Sequence, residues 1–152
     1  MLPQLPIIID IDPLHCDHSR LPLESEVQAG YHDIDREHNV LYTIVARLLS
    51  AETANKSPST ICGILSELEA CAHDHFTREE RLMELTKYPL RDDHTVQHWK
   101  FIDHIGMMIS MYEHSKTERM LSLQGFIIQW LSKHTKNDDK MFEEFWRLSY
   151  SE

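Results

Sequence analysis

The chain has 152 residues, a length that fits one domain with a hydrophobic core of its own. Glycine (4) and proline (6) are scarce, which disfavours an all-β fold, because such folds use many glycine and proline turns. The formal net charge is −10, so the chain lacks the basic footprint that nucleic acids and anionic membranes require. We therefore expect neither as a partner.

The cysteines favour a reducing environment. Cys62 and Cys71 are nine positions apart on one predicted helix, and Cys16 stands alone. Nine residues span about 13 Å along a helix axis, beyond the reach of a disulfide. The first residues contain no Lys or Arg before their apolar run, and Asp10 and Asp12 interrupt that run, unlike a signal peptide. No stretch of 18 apolar residues occurs. We expect a cytoplasmic protein without a membrane span.

The N-terminal part differs in composition from the rest. Residues 1–30 lack apolar periodicity and hold four of the six prolines, so we predict an N-terminal arm there. Residues 31–152 form the predicted domain. The first helix is predicted from about Asp35 to Ala51, because apolar residues recur at steps of three and four, and Asp33 or Asp35 is its predicted cap.

Three further helices follow in chain order. The second has Ser57 as its predicted N-cap and ends before Pro89. The third is expected to open at Asp92 or Asp93, and the fourth near Thr117. Four helices with short connections predict an all-α fold, an up-down-up-down antiparallel four-helix bundle.

Histidines and carboxylates interrupt the apolar faces of all four helices. In the segments HFTRE and HTVQH the polar residues are four apart. Such residues differ by about 40° in direction and about 6 Å in height, so both point into one small volume. In an antiparallel bundle, one end contains the starts of the first and third helices. The same end contains the last parts of the second and fourth helices. The seven candidate ligands at that end are His38, His75, Glu79, His94, His98, His134 and Asp139.

The candidate ligands are too numerous for one ion. Five imidazoles with two carboxylates suit first-row metals such as iron or zinc, and iron is favoured where two metals share carboxylates inside a bundle. The alternative is a purely structural bundle without metal. Burial of these groups without a partner would then cost about 1–3 kcal/mol or more each.

The four segments IDREHNVLY, HDHFTREERLM, YPLRDDHTVQHWKF and FIIQWLSKHTKNDD resemble the ligand-bearing segments of bacterial hemerythrins, over roughly residues 30–146. The resemblance implies one iron on His94, His98 and His134, and a second on His38 and His75. It also implies that Glu79, Asp139 and an oxo or hydroxo group bridge the two irons. Dioxygen then binds reversibly at an open position of the second iron, in a carrier, a store or a sensor. The candidate walls of the oxygen pocket are Leu41, Phe76, Trp130 and Thr135.

Two features of the fourth helix stand out. The family usually has apolar residues after the fourth-helix histidine, whereas this chain has Thr135 and Lys136. We expect a wetter pocket and faster oxidation, which favours sensing or redox use over storage. His134 and Asp139 are five apart, or about 140° apart on an ideal α-helix. Both can face the metals only if the helix widens into a π-type turn or unwinds, which we predict between Lys136 and Asp139.

The functional alternatives belong to different classes. The sequence shows no obvious general acid near the site, so we do not expect an enzyme. The first alternative is a di-iron oxidoreductase that acts on peroxide or nitric oxide. The second is an oxygen-sensing input module for a separate protein partner.

Overall fold

A computed structural model describes residues 23–114 and 120–150 of the chain. The elements are α1 (Leu23–Thr53), α2 (Pro58–Leu85), α3 (Arg91–Glu113), α4 (Met120–Lys133), a π-helical turn (His134–Asp138) and α5 (Asp139–Tyr150). The last three elements follow one another without a break and form the fourth rod of the bundle. Within these residues every regular element is helical, which confirms the predicted all-α fold.

Consecutive helices run antiparallel. Where two helices touch, the residue numbers rise along one helix as they fall along the other. Between α1 and α2, Glu37 contacts His75 and Arg47 contacts Glu67. Between α2 and α3, Glu80 contacts His98 and Cys62 contacts Ile109. Between α3 and the fourth rod, His98 contacts His134 and His104 contacts Phe126. This pairing brings the start of α3 beside the end of α2 and the end of the fourth rod.

The first helix begins earlier than the predicted Asp35. Residues 1–22 of the predicted arm lie outside the described residues, and residues 23–30 are the first turns of α1. The predicted start near Asp35 and the predicted caps Asp33 and Asp35 are therefore wrong. Apolar residues recur at steps of four in this segment, at Leu23, Val27 and Tyr31, so the helical pattern was present but was grouped with the proline-rich residues before it.

The starts of α2 and α3 follow the predictions more closely, whereas the predicted start of the fourth helix near Thr117 lies outside the described residues. Ser57 caps α2, because its side-chain oxygen accepts a hydrogen bond from the backbone N–H of Thr60 at 3.2 Å. The third helix has Leu90 at its N-cap position without a side-chain hydrogen bond. Asp92 and Asp93 lie in its first turn instead, where their charges interact favourably with the helix dipole. The prediction that one of them opens the helix was off by one or two residues.

Two helices end in the same backbone motif. After α1, Asn55 has a φ of 53°, and after α2, Lys87 has a φ of 55°. In each case the following N–H bonds back to a carbonyl five residues earlier, from Lys56 to Ala51 and from Tyr88 to Met83, both at 2.9 Å. This is the Schellman arrangement, which usually has glycine at the left-handed position.

Two apolar clusters make up the core. The larger one includes Leu41, Leu65 and Phe101, and the smaller one, at the end of the bundle, includes Met83 and Phe142. The seven candidate ligands lie on the helix turns between the clusters, so apolar packing covers them from both sides. No helix among the described residues is both long enough and apolar enough to cross a bilayer.

Candidate metal centre

The four rods bring all seven predicted ligands together. They form two groups in which one nitrogen or oxygen atom per residue lies within 4.8 Å of the others. The His98 group contains Glu79, His94, His98, His134 and Asp139; the His38 group contains His38, His75, Glu79 and Asp139. Six of the seven residues are buried, and His38 is the partial exception with 16% of its side chain exposed.

Glu79 and Asp139 belong to both groups. For Glu79, Oε2 lies 3.2 Å from Nε2 of His75, and Oε1 lies 2.7 Å from Nε2 of His94. Each carboxylate oxygen therefore faces a different group.

Asp139 repeats this arrangement from the other side of the bundle. Its Oδ2 lies 2.9 Å from Nε2 of His38, and its Oδ1 lies 2.9 Å from Nε2 of His134 and 3.1 Å from Nε2 of His94. In each of the two carboxylates, one oxygen faces the His38 group and the other faces the His98 group, which is the geometry of a bridging ligand.

The buried polar atoms at the centre are poorly satisfied. Both carboxylate oxygens of Glu79 and of Asp139, with Nε2 of His38 and of His94, are buried and lack a hydrogen bond of good geometry, although they lie close to one another. A buried polar atom without a partner costs about 1–3 kcal/mol. Six such atoms directed at a common interior fit metal ligation, so the residues present suit a pair of cations.

A second layer of carboxylates holds the imidazoles. Nδ1 of His75 lies 2.8 Å from Oε2 of Glu37, and Nδ1 of His98 lies 2.8 Å from Oε1 of Glu80. A carboxylate oxygen accepts a hydrogen bond, so each Nδ1 carries the proton and each Nε2 presents a lone pair to the centre. Glu37 is itself paired with Arg78.

The same arrangement holds for His134. Its Nδ1 lies 3.3 Å from Oδ2 of Asp138, and its Nε2 lies 3.0 Å from Nε2 of His98. Two imidazole lone pairs that face each other at this distance repel unless a cation lies between them.

Glu37, Glu80 and Asp138 are not among the site residues predicted from the sequence. Each of them is adjacent in sequence to a predicted ligand, and helical spacing assigns such neighbours to a different face. Only Asp138 could have been predicted, because it lies four positions after His134, a spacing that places two helical residues on the same face.

The electrostatics reflect the two shared carboxylates. Burial alone would lower the pKa of His94, but the carboxylates of Asp139 and Glu79 raise it to about 10. Burial, together with the nearby His134 and His94, lowers the pKa of His98. Burial would raise the pKa of Asp139, yet the surrounding imidazoles hold it well below its usual value. The centre therefore favours an ionised Asp139, whose charge attracts cations.

The fourth rod has the distortion that the sequence predicts. Residues His134–Asp138 form a π-helical turn, and the N–H of Asp139 bonds to the carbonyl of His134, five residues back. The wider turn brings His134 and Asp139 to the same side, so that their side chains meet at 2.9 Å. The π-type turn predicted between Lys136 and Asp139 is confirmed, and it begins two residues earlier, at His134.

The four residues proposed for the oxygen pocket lie in two places. Phe76 stacks on His98 with ring centroids 3.9 Å apart, and Trp130 stacks on His134 at 4.3 Å. Leu41 is buried in the larger apolar cluster. Thr135 lines a cavity of about 70 Å³, together with His38, Glu79 and Asp139.

A helical bundle with five imidazoles and two shared carboxylates in its core defines a candidate dinuclear metal protein. The family model described as the hemerythrin HHE cation binding domain matches residues 29–145. The chain belongs to the hemerythrin family. Proteins of this family are oxygen-binding carriers rather than enzymes, as the sequence analysis expected.

Several curated relatives cover most of the chain. A bacteriohemerythrin of Pseudomonas aeruginosa is 26% identical over 134 residues, which is 88% of this chain and 86% of the relative. A bacteriohemerythrin of Clostridium acetobutylicum is 24% identical over 78% of this chain and 95% of its own length. A myohemerythrin of Riftia pachyptila is 24% identical over 76% of this chain and 85% of its own length. No solved structure matches the chain.

Proposed function

We propose that the protein binds dioxygen reversibly at a di-iron centre in the bundle core. The observation that carries the proposal is the sharing of Glu79 and Asp139 between two groups of imidazoles. A single ion would not explain why each of the two carboxylates directs one oxygen to each group of imidazoles. Family membership supports the same function.

Each residue has a proposed role in holding the irons. His94, His98 and His134 would hold one iron, and His38 and His75 the other, while Glu79 and Asp139 would serve both. The His38 group contributes fewer imidazoles, so its iron would keep the open position. Iron bound there supplies the electrons and the vacant position that dioxygen needs.

The chain itself controls what reaches this position. Phe76 and Trp130 lie against the imidazoles of His98 and His134 and exclude water from that side. On the other side, the cavity of about 70 Å³ beside His38 has room for only a few atoms. A small diatomic ligand suits this space.

Optical spectroscopy under changing oxygen tests the proposal. The iron-loaded protein in air should show visible charge-transfer bands that disappear on deoxygenation and return on readmission of air. His38→Ala should abolish the cycle, because it removes a ligand of the open iron. Glu67→Gln is the matched control, because Glu67 forms only a surface ion pair with Arg47.

The same measurement separates the alternatives. An iron-loaded protein whose spectrum does not respond to oxygen contradicts the proposal. Steady consumption of peroxide or nitric oxide with an added reductant would instead favour an oxidoreductase. A stable complex with another protein, formed only with or only without dioxygen, would favour a sensor.

A cytoplasmic location is part of the proposal. Cys62 and Cys71 lie nine residues apart on α2, about 13 Å along the helix axis, which is too far for a disulfide between them and fits a reducing compartment. Cell fractionation with antibody detection tests the location. Recovery of the protein outside the cytoplasm would contradict it.

A further inference from the structure

Two hydroxyl groups meet beside the candidate metal centre. Oη of Tyr42, on α1, lies 2.6 Å from Oγ1 of Thr135, in the π-helical turn. Oγ1 of Thr135 also lies 2.9 Å from the carbonyl oxygen of Leu131, to which it donates. Since the Thr135 proton is directed to that carbonyl, Tyr42 donates and Thr135 accepts in the contact between the hydroxyls.

Thr135 is the polar end of this pair that reaches the cavity. It shares the lining with His38, Glu79 and Asp139, which all belong to the His38 group. His75, the remaining member of that group, is held from outside by Glu37. Thr135 is therefore on the side of the centre where our functional proposal leaves a position open.

The pair can present a proton to a ligand. A hydroxyl hydrogen rotates to suit its surroundings, so the Thr135 proton can turn from the Leu131 carbonyl towards the cavity while Tyr42 continues to donate. The Tyr42 hydrogen bond polarises the Thr135 hydroxyl and strengthens its own donation. Such a chain benefits an anionic acceptor much more than a neutral one, because hydrogen bonds to ionised groups are about twice as strong.

We propose that Tyr42 and Thr135 form a two-hydroxyl chain that selects small anionic ligands at the open position of the centre. The inference rests on the proposed di-iron function. It assigns a specificity role to Tyr42, which lies four positions after the candidate ligand His38 and is not itself a candidate ligand. Thr135 touches the ligand, and Tyr42 acts through Thr135 as a positioning residue.

Azide is the probe, titrated into the oxidised, iron-loaded protein and followed by visible absorption. Thr135→Val, which keeps the shape and removes the hydroxyl, should weaken azide binding by about tenfold or more. Tyr42→Phe should weaken it by about two- to threefold, because the Thr135 donor remains but is less polarised. The double variant should bind no more weakly than Thr135→Val. Thr135→Ser should restore the affinity, because it keeps a hydroxyl.

Two matched controls separate this role from a structural one. Thr43→Val removes a hydroxyl that also bonds back to a helix carbonyl, that of Asn39. Tyr112→Phe removes a tyrosine hydroxyl that bonds to Glu52, away from the centre. Both should leave the azide affinity unchanged, and all variants should keep the iron content and the ligand-free spectrum of the wild type.

The outcomes distinguish this inference from the functional proposal. A wild-type protein that takes up no iron refutes the functional proposal. A wild-type protein with two irons, and a Thr135→Val variant with unchanged azide affinity, refute the hydroxyl chain alone. If Thr135→Val does not retain iron, the other two variants test the inference. An unchanged azide affinity of Tyr42→Phe would overturn the hydroxyl chain. A weaker azide affinity of Tyr42→Phe, together with a wild-type affinity of Thr135→Ser, would support it.

Discussion

Nδ1 of His98 lies 2.8 Å from Oε1 of Glu80, a residue that follows the candidate ligand Glu79 directly in sequence. One helix thus supplies a candidate ligand and, at the next position, a carboxylate that orients a ligand on the neighbouring helix. The bond fixes the proton on Nδ1 of His98 and turns the lone pair on Nε2 inward. The negative charge of Glu80 also makes the imidazole of His98 a better electron donor to an oxidised metal.

Glu80 therefore provides a first prediction. Glu80→Ala should lower iron affinity by about 10- to 100-fold in a chelator competition, because such outer partners orient the ligand. Glu80→Gln, which keeps the acceptor oxygen and loses the charge, should retain iron but raise its reduction potential. Glu67→Gln, on the exposed part of the same helix, is the control. A reduction potential that does not change in Glu80→Gln would contradict the charge argument.

Thr135 provides a second prediction. A hydroxyl in the cavity stabilises water and anions that promote oxidation of the iron, so Thr135→Val should slow autoxidation of the oxygenated protein. The decay of the visible bands in air measures this rate, with Thr43→Val as the control. Equal decay of wild type and Thr135→Val, or an oxygenated wild type that persists as long as that of stable carriers, would count against the expected wet pocket.

The helix ends provide a third prediction. Lys87 has a left-handed backbone with a φ of 55°, a conformation that costs a residue with a Cβ about 1 kcal/mol and glycine almost nothing. Lys87→Gly should therefore raise the free energy of unfolding by about 1 kcal/mol in urea titrations. Lys56→Gly, which follows the other turn but has no positive φ, should give no gain. Equal effects of the two substitutions would contradict the backbone argument.

The far end of the bundle provides a pH prediction. Burial and the hydrogen bond to Glu52 raise the pKa of Tyr112 above its usual value of 10.0. A group whose pKa is higher in the folded state contributes stability that is fully present below pH 10 and is lost as the pH rises towards the folded pKa. The difference in unfolding free energy between wild type and Tyr112→Phe should therefore shrink above pH 10. A constant difference between pH 8 and pH 11 would show that Tyr112 titrates normally.

Much of the candidate site follows from spacing alone. The pairs His75–Glu79 and His94–His98 are four apart, and helix geometry then leaves little freedom in where they point. The π-helical turn also follows, because an ordinary helix cannot direct both His134 and Asp139 to the centre. Local geometry of this kind needs no knowledge of the neighbouring helices.

Other features depend on packing between helices and leave little trace in the sequence. Glu37 and Glu80 look like solvent-exposed residues next to ligands, and only the neighbouring helix reveals that they bond to His75 and His98. The contact of Tyr42 with Thr135 joins residues 93 positions apart. The early start of α1 was missed for a different reason, since its first turns were grouped with the proline-rich residues that precede them.

The central claim is that two different sets of ligands hold two metal ions that share Glu79 and Asp139. Iron analysis with Mössbauer spectroscopy of the oxidised protein tests it most directly. We predict about two irons per chain, in two coupled and unequal environments of equal intensity, as expected for a carboxylate-bridged pair in a bundle core. One iron per chain, or two uncoupled irons, would contradict the shared bridge.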